Sequence, residues 1–433
     1  MRGLLGTEDD ANCKCRHCFE AAHGVLTCAV YPFLLTSAQE PRPALQHLGA
    51  WIAQAVLWLL LASCGPDSSQ APGSGISYYH DRVDKVPWSI HVVKAERARA
   101  DLELRTTLGK EAKIGLNTLV QQIHALPPEA GLPLAAINGD FYVVDERNPY
   151  AGDPRGLQIL DGELVSAPTD QASFWIDAAG VPQATNVLSR FEVTWPDGGT
   201  TPIGLNEERV AGAAVLYTAR QGQTTRTRGG RELILDRAGS GPWLPLRAGL
   251  NYAARIREAR AGGNSGLGPD VMVLSLSPEL LTNTAAAAHA EAGAVLNISM
   301  ATVPDLTGVK SAISGGYVLV RDGKTETLRV PSSADFKYAS ITQRHPRSAI
   351  GASRGYLFLV QVDGRQPGYS MGMTLAELGD YMQKLGCEVA LSLDGGASAT
   401  FWWKGKIMNR PCNGAARPIA NGVVILKKPP ARP

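Results

Sequence analysis

Short apolar runs separated by turn residues dominate the chain from about residue 77 onward. They are four to seven residues long and rich in Val, Ile, Leu and Tyr, which is typical of strands. The pattern predicts strands at Trp88–Val93, Leu134–Ile137, Ala213–Tyr217, Val271–Leu276, Tyr317–Val320, Tyr356–Val362, Glu388–Leu393 and Gly422–Leu426. Two Asp-Gly pairs, Asp161-Gly162 and Asp322-Gly323, each follow such a run and predict tight hairpin turns.

Three segments have the pattern of helices. Apolar residues recur at helical spacing over Leu116–Ile123, and an Ala-rich segment runs from Thr284 to Ala292. A third helix is predicted after Thr374, because Glu377 three residues later completes a capping box and Gly386 suits the helix end. Strands prevail without regular strand-helix alternation, so we expect a mixed α+β fold with a strand-rich sheet core and a few peripheral helices.

Composition narrows the class of protein. The 433 residues are 44% hydrophobic and 19% charged, which excludes a disordered chain and permits a sizeable core. A formal net charge of +2 is too balanced for a protein that binds nucleic acid through a broad basic surface. No run of 18 or more apolar residues occurs, so the sequence predicts no ordinary membrane-spanning helix.

The N-terminal region has the features of an export signal. Gly49–Ala62 is uncharged and mostly apolar, and Leu61-Ala62-Ser63-Cys64 resembles a bacterial lipoprotein processing site. We expect residues 1–64 to be an upstream extension plus signal peptide, 65–76 a flexible tether, and 77–433 the folded domain. The protein would then be exported and anchored to the membrane only by a lipid on Cys64, facing the periplasm or the cell surface. A buried core helix is the alternative for the apolar stretch.

Polar residues follow several predicted strands, where a rigid support presents loop side chains. They are Asn138-Gly139-Asp140, Asp363-Gly364-Arg365 and Asp394-Gly395-Gly396-Ala397-Ser398. A fourth polar group, His345-Pro346-Arg347, precedes the small-residue segment Ser348–Gly351. Each taken alone is also consistent with an ordinary turn. Paired glycines after a carboxylate permit close backbone approach to a ligand, and arginine residues suit bidentate binding of phosphate or carboxylate.

The order of these motifs resembles the phosphodiester glycosidase family, whose best-known member is the uncovering enzyme that removes N-acetylglucosamine from the mannose-6-phosphate tag. The resemblance covers roughly residues 112–426. Its further motifs are Arg155–Ile159, Leu205-Asn206, Val215–Thr218, Ile313–Gly316, Leu319–Gly323, His345–Gly351, Asn409–Pro411 and Arg417–Asn421. The family usually has a third glycine where Ala397 stands. A Cβ at this position would restrict how closely a ligand approaches the backbone.

The resemblance implies hydrolysis of a sugar-1-phosphodiester, of the N-acetylglucosamine-1-phosphate type, to free sugar and phosphomonoester. A phosphate leaving group calls for charge stabilisation, which suggests Arg347, Arg365 and Arg417. A carboxylate would activate water or stabilise the anomeric centre, with Asp394 as first choice and Asp363 and Asp140 behind it. The remaining substrate-binding candidates are Asn138, Gly139, Gly395, Gly396 and Ser398.

Several alternatives stay open at this stage. The same fold would also suit a non-catalytic glycan-binding protein or a cell-envelope scaffold. No cofactor or metal is expected, although the carboxylate loops at Asp140, Asp363 and Asp394 contain oxygen ligands that suit a divalent cation. Cys387 and Cys412 flank the Asp394 segment, and an exported location permits a disulfide between them. The expected partner is a glycan or glycosyl phosphodiester, not nucleic acid, and the sequence leaves the oligomeric state undetermined.

Overall fold

The computed structural model describes residues 75–328 and 338–429, and most of their regular structure is strand. In these residues the strands are β1 Ile76–Val83, β2 Trp88–Glu96, β3 Leu102–Thr106, β4 Leu132–Asn138, β5 Gln158–Leu160, β6 Glu163–Ser166, β7 Thr169–Ile176, β8 Pro182–Thr194, β9 Thr200–Pro202, β10 Gly204–Leu205, β11 Ala214–Tyr217, β12 Arg231–Arg237, β13 Asn251–Ala261, β14 Met272–Leu276, β15 Val295–Val303, β16 Ala312–Ser314, β17 Val318–Arg321, β18 Lys324–Thr325, β19 Arg347–Ala352, β20 Tyr356–Val362, β21 Val389–Ser392, β22 Phe401–Trp403, β23 Lys406–Ile407 and β24 Gly422–Lys427. The helices are α1 Leu119–His124, α2 Pro278–Asn283, α3 Ala285–Ala288, α4 Tyr338–Thr342 and α5 Leu375–Lys384.

Three sheets organise the described strands. One has the order β1-β2-β20-β19-β21-β17-β18, and a smaller one has the order β23-β22-β4-β24-β3. The largest has the order β10-β11-β14-β12-β13-β15-β8-β7-β16-β5-β6, and β9 pairs with β8 beside that path. Each of the eight predicted strands overlaps one of these strands, and the predicted mixed α+β fold is confirmed.

The hairpin turn and the helix cap that local sequence signals predict are both present. Asp161 and Gly162 both have positive φ, at 53° and 79°, and join β5 to β6 as the Asp-Gly pair predicts. The Thr374 side chain accepts from the Glu377 N–H, and α5 buries the stripe of side chains facing the sheet. The Ala-rich segment forms a helix over Ala285–Ala288, which is shorter than the predicted range of Thr284–Ala292.

The three sheets meet where β4, β16 and β21 end. The Asp394 N–H after β21 donates to the Gly139 carbonyl after β4 at 2.9 Å, which joins the first sheet to the smallest. The Gly316 N–H after β16 donates to the Ser392 carbonyl at 2.8 Å, which joins the largest sheet to the same point. Since β19 runs antiparallel to β20 and β21, its start lies beside their ends: Arg347 pairs with Val362 of β20, and Ala349 pairs with Ser392 of β21. Loops from distant parts of the sequence therefore converge at one place.

A shared apolar core holds this meeting point. Buried side chains from all three sheets pack in one cluster, including Val93, Ile137, Phe174, Leu391 and Phe401. Burying such side chains contributes about 1.5–3 kcal/mol each, so the core fixes the strand ends on which the loops depend. Among the helices of residues 75–328 and 338–429, none is long and apolar enough to cross a membrane. The predicted signal segment and Cys64 lie outside the described residues.

Candidate active site

A cleft of about 670 Å³ opens where the three sheets meet. Its lining combines apolar side chains with a small set of polar groups, as ligand sites generally do. The charged and hydrogen-bonding side chains in the lining are Asp394, Arg155, Arg347, Arg365, Arg417, His345, Gln171, Tyr142, Tyr317, Ser340, Ser392 and Ser398. Seven of the sequence candidates are brought together here: Arg347, Arg365, Asp394, Gly395, Gly396, Ser398 and Arg417.

Asp394 is the one carboxylate in the described lining of the cleft. Its backbone is fixed on both sides, because its N–H donates to the Gly139 carbonyl and its carbonyl accepts from Asn138 Nδ2 at 2.7 Å. Burial raises the pKa of Asp394 to about 6, against the opposing effects of Ser398, the Gly395 N–H and the nearby Arg417 and Arg365. A carboxyl group with a pKa close to neutral is suited to proton transfer at physiological pH.

The glycines after Asp394 form a tight turn against the chain at Pro346. A Cβ on Gly395 would lie 2.6 Å from the Pro346 carbonyl oxygen, and the Gly396 N–H donates to the same oxygen at 2.9 Å. Gly396 has a φ of 60°, which favours glycine, whereas Ala397 is not among the positive-φ residues. Alanine at position 397 is therefore compatible with this backbone, and the departure from the family pattern does not strain the turn.

Arg347 and Arg365 form one positive side of the cleft. Arg347 is 8% exposed, and its Nε and Nη2 donate to the carbonyl oxygens of Met373, Ser340 and Gln343 at 2.6 to 2.9 Å. These bonds leave Nη1 as its donor without a recorded protein partner among the described residues. Burial and the neighbouring Arg365 lower the pKa of Arg347 to about 10, so it stays charged at neutral pH.

The exposed Arg365 adopts a φ of 57°, and its guanidinium lies against Gly396. Its Nε donates to His345 Nδ1 at 3.3 Å, so a neutral His345 ring carries its proton on Nε2. Burial, followed by the charges of Arg365 and Arg347, lowers the pKa of His345. His345 therefore lines the cleft as a neutral donor beside two guanidinium groups.

A third guanidinium group stands next to the carboxylate. Arg417 lies 5.5 Å from the centre of the Tyr142 ring, whose hydroxyl donates to the Pro418 carbonyl at 2.9 Å. Burial raises the pKa values of both Asp394 and Tyr142, and the Arg417 charge opposes part of that rise. Ser398 is 3% exposed and hydrogen-bonds the Asp394 and Tyr142 side chains. These contacts hold the Asp394 carboxylate in one orientation.

Several polar lining residues were not site candidates in the sequence analysis, and Arg155 and Gln171 are two of them. Arg155 belongs to a motif of the family resemblance but was given no role, and Gln171 belongs to no motif. The Arg155 N–H donates to the Phe141 carbonyl at 2.8 Å, which places Arg155 beside the loop after β4. Gln171 lies on β7 just before the continuous pairing of β7 with β8 begins at Ala172, and its side chain lies next to Gly156. Only the Arg-Gly pair at 155–156 gave a signal in the sequence.

The cleft is strongly positive. Four arginine residues line it against one carboxylate, and none of the four takes part in the ion pairs recorded among the described residues. Elsewhere in the described residues, arginine side chains do form ion pairs with carboxylates, as Arg344 does with Glu377. Unpaired guanidinium groups in a concave site attract anions and suit phosphate oxygen atoms in particular.

Asp363, the second predicted catalytic carboxylate, lies outside the cleft. It is 0% exposed, and its Oδ2 accepts from Ser89, His91 and Tyr369 at 3.0 to 3.3 Å. Its Oδ1 accepts from Gln361 Nε2 and the Arg410 N–H. Burial alone would raise the pKa of Asp363, but the hydrogen bonds and the charge of His91 lower it. This carboxylate ties β2 and β20 to the loop of Arg365 and is not available to a substrate.

Asp140, Asn138 and Gly139 also lie behind the cleft wall and not on it. Asp140 is 2% exposed and accepts from the N–H groups of Phe141 and Gly156 at 2.7 and 2.9 Å. Burial raises the pKa of Asp140 well above its usual range, and the charge of Asp394 adds to the effect. Asn138 uses its amide to hold the Asp394 loop and Ser348, and a Cβ on Gly139 would clash with Asn421 at 2.3 Å. All three support the site without lining it.

Neither a metal centre nor a disulfide is present in the described residues. No group of three or more His, Cys, Asp or Glu side chains there has an arrangement that would hold a metal ion. Cys387 is buried and Cys412 half-buried, and both are free thiols. Burial raises the pKa of Cys387 to about 12.

Residues 251–426 match the model of the phosphodiester glycosidase family. The matched range contains Arg347, Arg365, Asp394 and Arg417, so it includes most of the polar lining of the cleft. The resemblance to this family is thereby confirmed over these residues. Arg155 and Gln171 lie before the matched range.

Comparison with individual proteins adds the fold. A segment of 119 residues is 33% identical to the SPbeta prophage-derived uncharacterized protein YomE of Bacillus subtilis, covering 27% of this chain and 18% of that protein. A hypothetical protein from Synechocystis has a TM-score of 0.65 at 19% identity, over 84% of this chain and 64% of its own. A putative exported protein from Burkholderia pseudomallei has a TM-score of 0.58 at 21% identity, over 78% and 74%. These two structures share the fold of this chain.

Proposed function

We propose that this protein is a phosphodiester glycosidase that hydrolyses a sugar-1-phosphodiester to free sugar and phosphomonoester. One observation carries the proposal. In the described lining of the cleft, one carboxylate with a pKa of about 6 lies among four arginine residues that form no ion pair. The family match over residues 251–426 supports a glycosidase-type reaction. The positive lining favours a substrate whose leaving group is a phosphate.

The phosphate would lie against Arg347 and Arg365. As the bond between the anomeric carbon and the phosphate oxygen breaks, negative charge accumulates on the departing monoester. The exposed Arg365 and the free Nη1 of Arg347 are placed to stabilise that charge, and the Nε2–H of His345 supplies a further hydrogen bond. Because a phosphate monoester is already a weak base, its departure needs this stabilisation more than a strong general acid.

Asp394 would accept a proton from the attacking water. The water oxygen bonds to the anomeric carbon, the bond to phosphate breaks, and the water proton passes to the carboxylate. Ser398 and Arg417 orient Asp394 and keep it largely ionised at neutral pH. Direct attack by Asp394 on the sugar would instead retain the anomeric configuration, so proton NMR of the first-formed sugar separates the two roles.

Asp394→Asn tests this assignment. The amide keeps the size of the side chain but cannot take the proton, so we expect turnover to fall about 10²- to 10⁴-fold. Asp322→Asn is the matched control, because Asp322 occupies a hairpin turn with a φ of 50° that asparagine also adopts. Unchanged turnover in Asp394→Asn, with the control fully active, would remove Asp394 from the mechanism.

We also propose that the protein is exported and lipid-anchored at Cys64. The support is the apolar segment Gly49–Ala62, the small residues before Cys64 and the polar tether after it. Intact mass of the membrane-extracted protein tests the idea: the expected species begins at Cys64 and carries acyl chains. A species that keeps Cys13 or lacks lipid would contradict it.

A further inference from the structure

Arg155 stands apart from the arginine residues assigned to the scissile phosphate. It enters the cleft from the loop before β5, and its charge acts on the buried Asp140 and Asp153. Arg365, in contrast, acts on Arg347, His345 and Asp394. Arg347 begins β19 and Arg365 follows β20, so the arginine residues of the cleft come from separate parts of the fold.

The charge of the lining exceeds what one phosphodiester supplies. In the part of the lining that the structure describes, four guanidinium groups less one carboxylate leave three positive charges, whereas a phosphodiester carries one negative charge. The carboxyl groups near Arg155 do not make up the difference at the cleft surface, because Asp140 and Asp153 are only 2% and 6% exposed and neither lines the cleft. Unneutralised charges in a concave site are unfavourable until an anion binds them.

Gln171 provides an independent sign of a ligand on the same side. Its Oε1 is shielded from solvent and has no hydrogen-bond partner in the protein, and the residue lines the cleft. A Cβ on Gly156, the neighbour of Arg155, would lie 3.0 Å from this oxygen. A buried acceptor without a donor costs free energy, and a turn of the Gln171 side chain toward the cleft would let a sugar hydroxyl group satisfy it. The acceptor therefore lies beside the backbone of the Arg155-Gly156 loop, and both Arg155 and Gln171 line the cleft.

We propose that Arg155 forms a second anion subsite, that Gln171 beside it binds a sugar hydroxyl group, and that the substrate is a glycan of repeating sugar-phosphodiester units. The inference rests on the proposed function and names its substrate class. One phosphodiester would bind Arg347 and Arg365 and be cleaved, while the next one along the glycan binds Arg155. The second phosphodiester is unchanged in the reaction, and its role is to bind and align the glycan.

Matched substrates test the subsite. The full-length protein is assayed with a sugar-1-phosphodiester that carries a second phosphodiester one sugar away, with its analogue bearing a neutral group there, and with an analogue bearing a carboxylate. We expect kcat/KM for the doubly charged phosphate substrate to exceed that for the neutral analogue by about 10- to 100-fold. Arg155→Gln should bring this ratio close to one, whereas Arg257→Gln, at a paired surface arginine on β13, should keep it.

The results test the second subsite and the proposed hydrolysis separately. A ratio near one in the unmodified protein, or a ratio that Arg155→Gln leaves unchanged, would overturn the subsite. An equal gain from the carboxylate analogue would overturn the choice of phosphate. If no substrate is cleaved, the proposed hydrolysis fails, and calorimetry with the same three compounds still decides the subsite: tighter binding of the two-phosphate compound, lost in Arg155→Gln, supports it.

Discussion

The pKa of Asp394 predicts an acidic limit to activity. The carboxylate must be ionised to accept a proton, and burial raises its pKa to about 6. The ionised fraction then falls from about 90% at pH 7 to about 10% at pH 5, so kcat/KM should drop roughly tenfold between these values. With an ordinary aspartate pKa near 3.9 the fraction at pH 5 would still exceed about 90%, and the rate would barely change.

Initial rates of sugar release between pH 4.5 and about pH 8 measure this limit. Arg417 and Ser398 both favour the ionised form, so Arg417→Gln and Ser398→Ala should each move the midpoint to higher pH, whatever they do to the maximal rate. His345 also faces the cleft, so His345→Gln must leave the midpoint in place if Asp394 sets it. A profile that stays flat down to pH 4.5, or a limb that disappears in His345→Gln, would refute the reasoning.

Three further predictions concern the support of the site. Asp363→Asn places an amide among donors and should lower the free energy of unfolding by about 3–5 kcal/mol in chemical denaturation; an effect below about 1 kcal/mol would contradict the buried network. Gly395→Ala would bring a Cβ within 2.6 Å of a backbone oxygen and should reduce turnover by more than about tenfold, whereas Gly355→Ala, which meets nothing within 4 Å, should be neutral. Cys387 and Cys412 should both be alkylated in denaturant without reductant, and mass spectrometry of a linked peptide pair would disprove it.

Local signals in the sequence predicted the local structure well. The Asp161-Gly162 turn and the capping box at Thr374 depend on residues at most three positions apart, and both form as expected. β13 has no counterpart among the predicted strands. Its sequence is rich in Ala and Arg, which favour helices, but pairing with β12 and β15 buries Tyr252 and Ile256 on one face.

Site residues were predictable where they belong to a contiguous motif. They were not predictable where side chains from distant parts of the sequence determine whether a residue reaches the cleft. The Asp394 loop was found because a carboxylate, two glycines and Ser398 are contiguous. Asp363 follows a strand in the same way, yet Ser89 and His91 from β2 enclose it, and no local pattern reveals them. Arg155 enters the cleft only because β4 and β5 bring its loop there, so its role follows from the fold.

The most direct test of the central claim is hydrolysis of a sugar-1-phosphodiester in ¹⁸O-labelled water, followed by mass spectrometry of both products. A panel that includes N-acetylglucosamine-1-phosphodiester serves as substrate, with Asp394→Asn as the inactive reference. We expect equal amounts of free sugar and phosphomonoester, with the label on the sugar, because the bond to the anomeric carbon breaks. Label on the phosphate would contradict the mechanism, and binding without release of either product would instead indicate a glycan-binding protein.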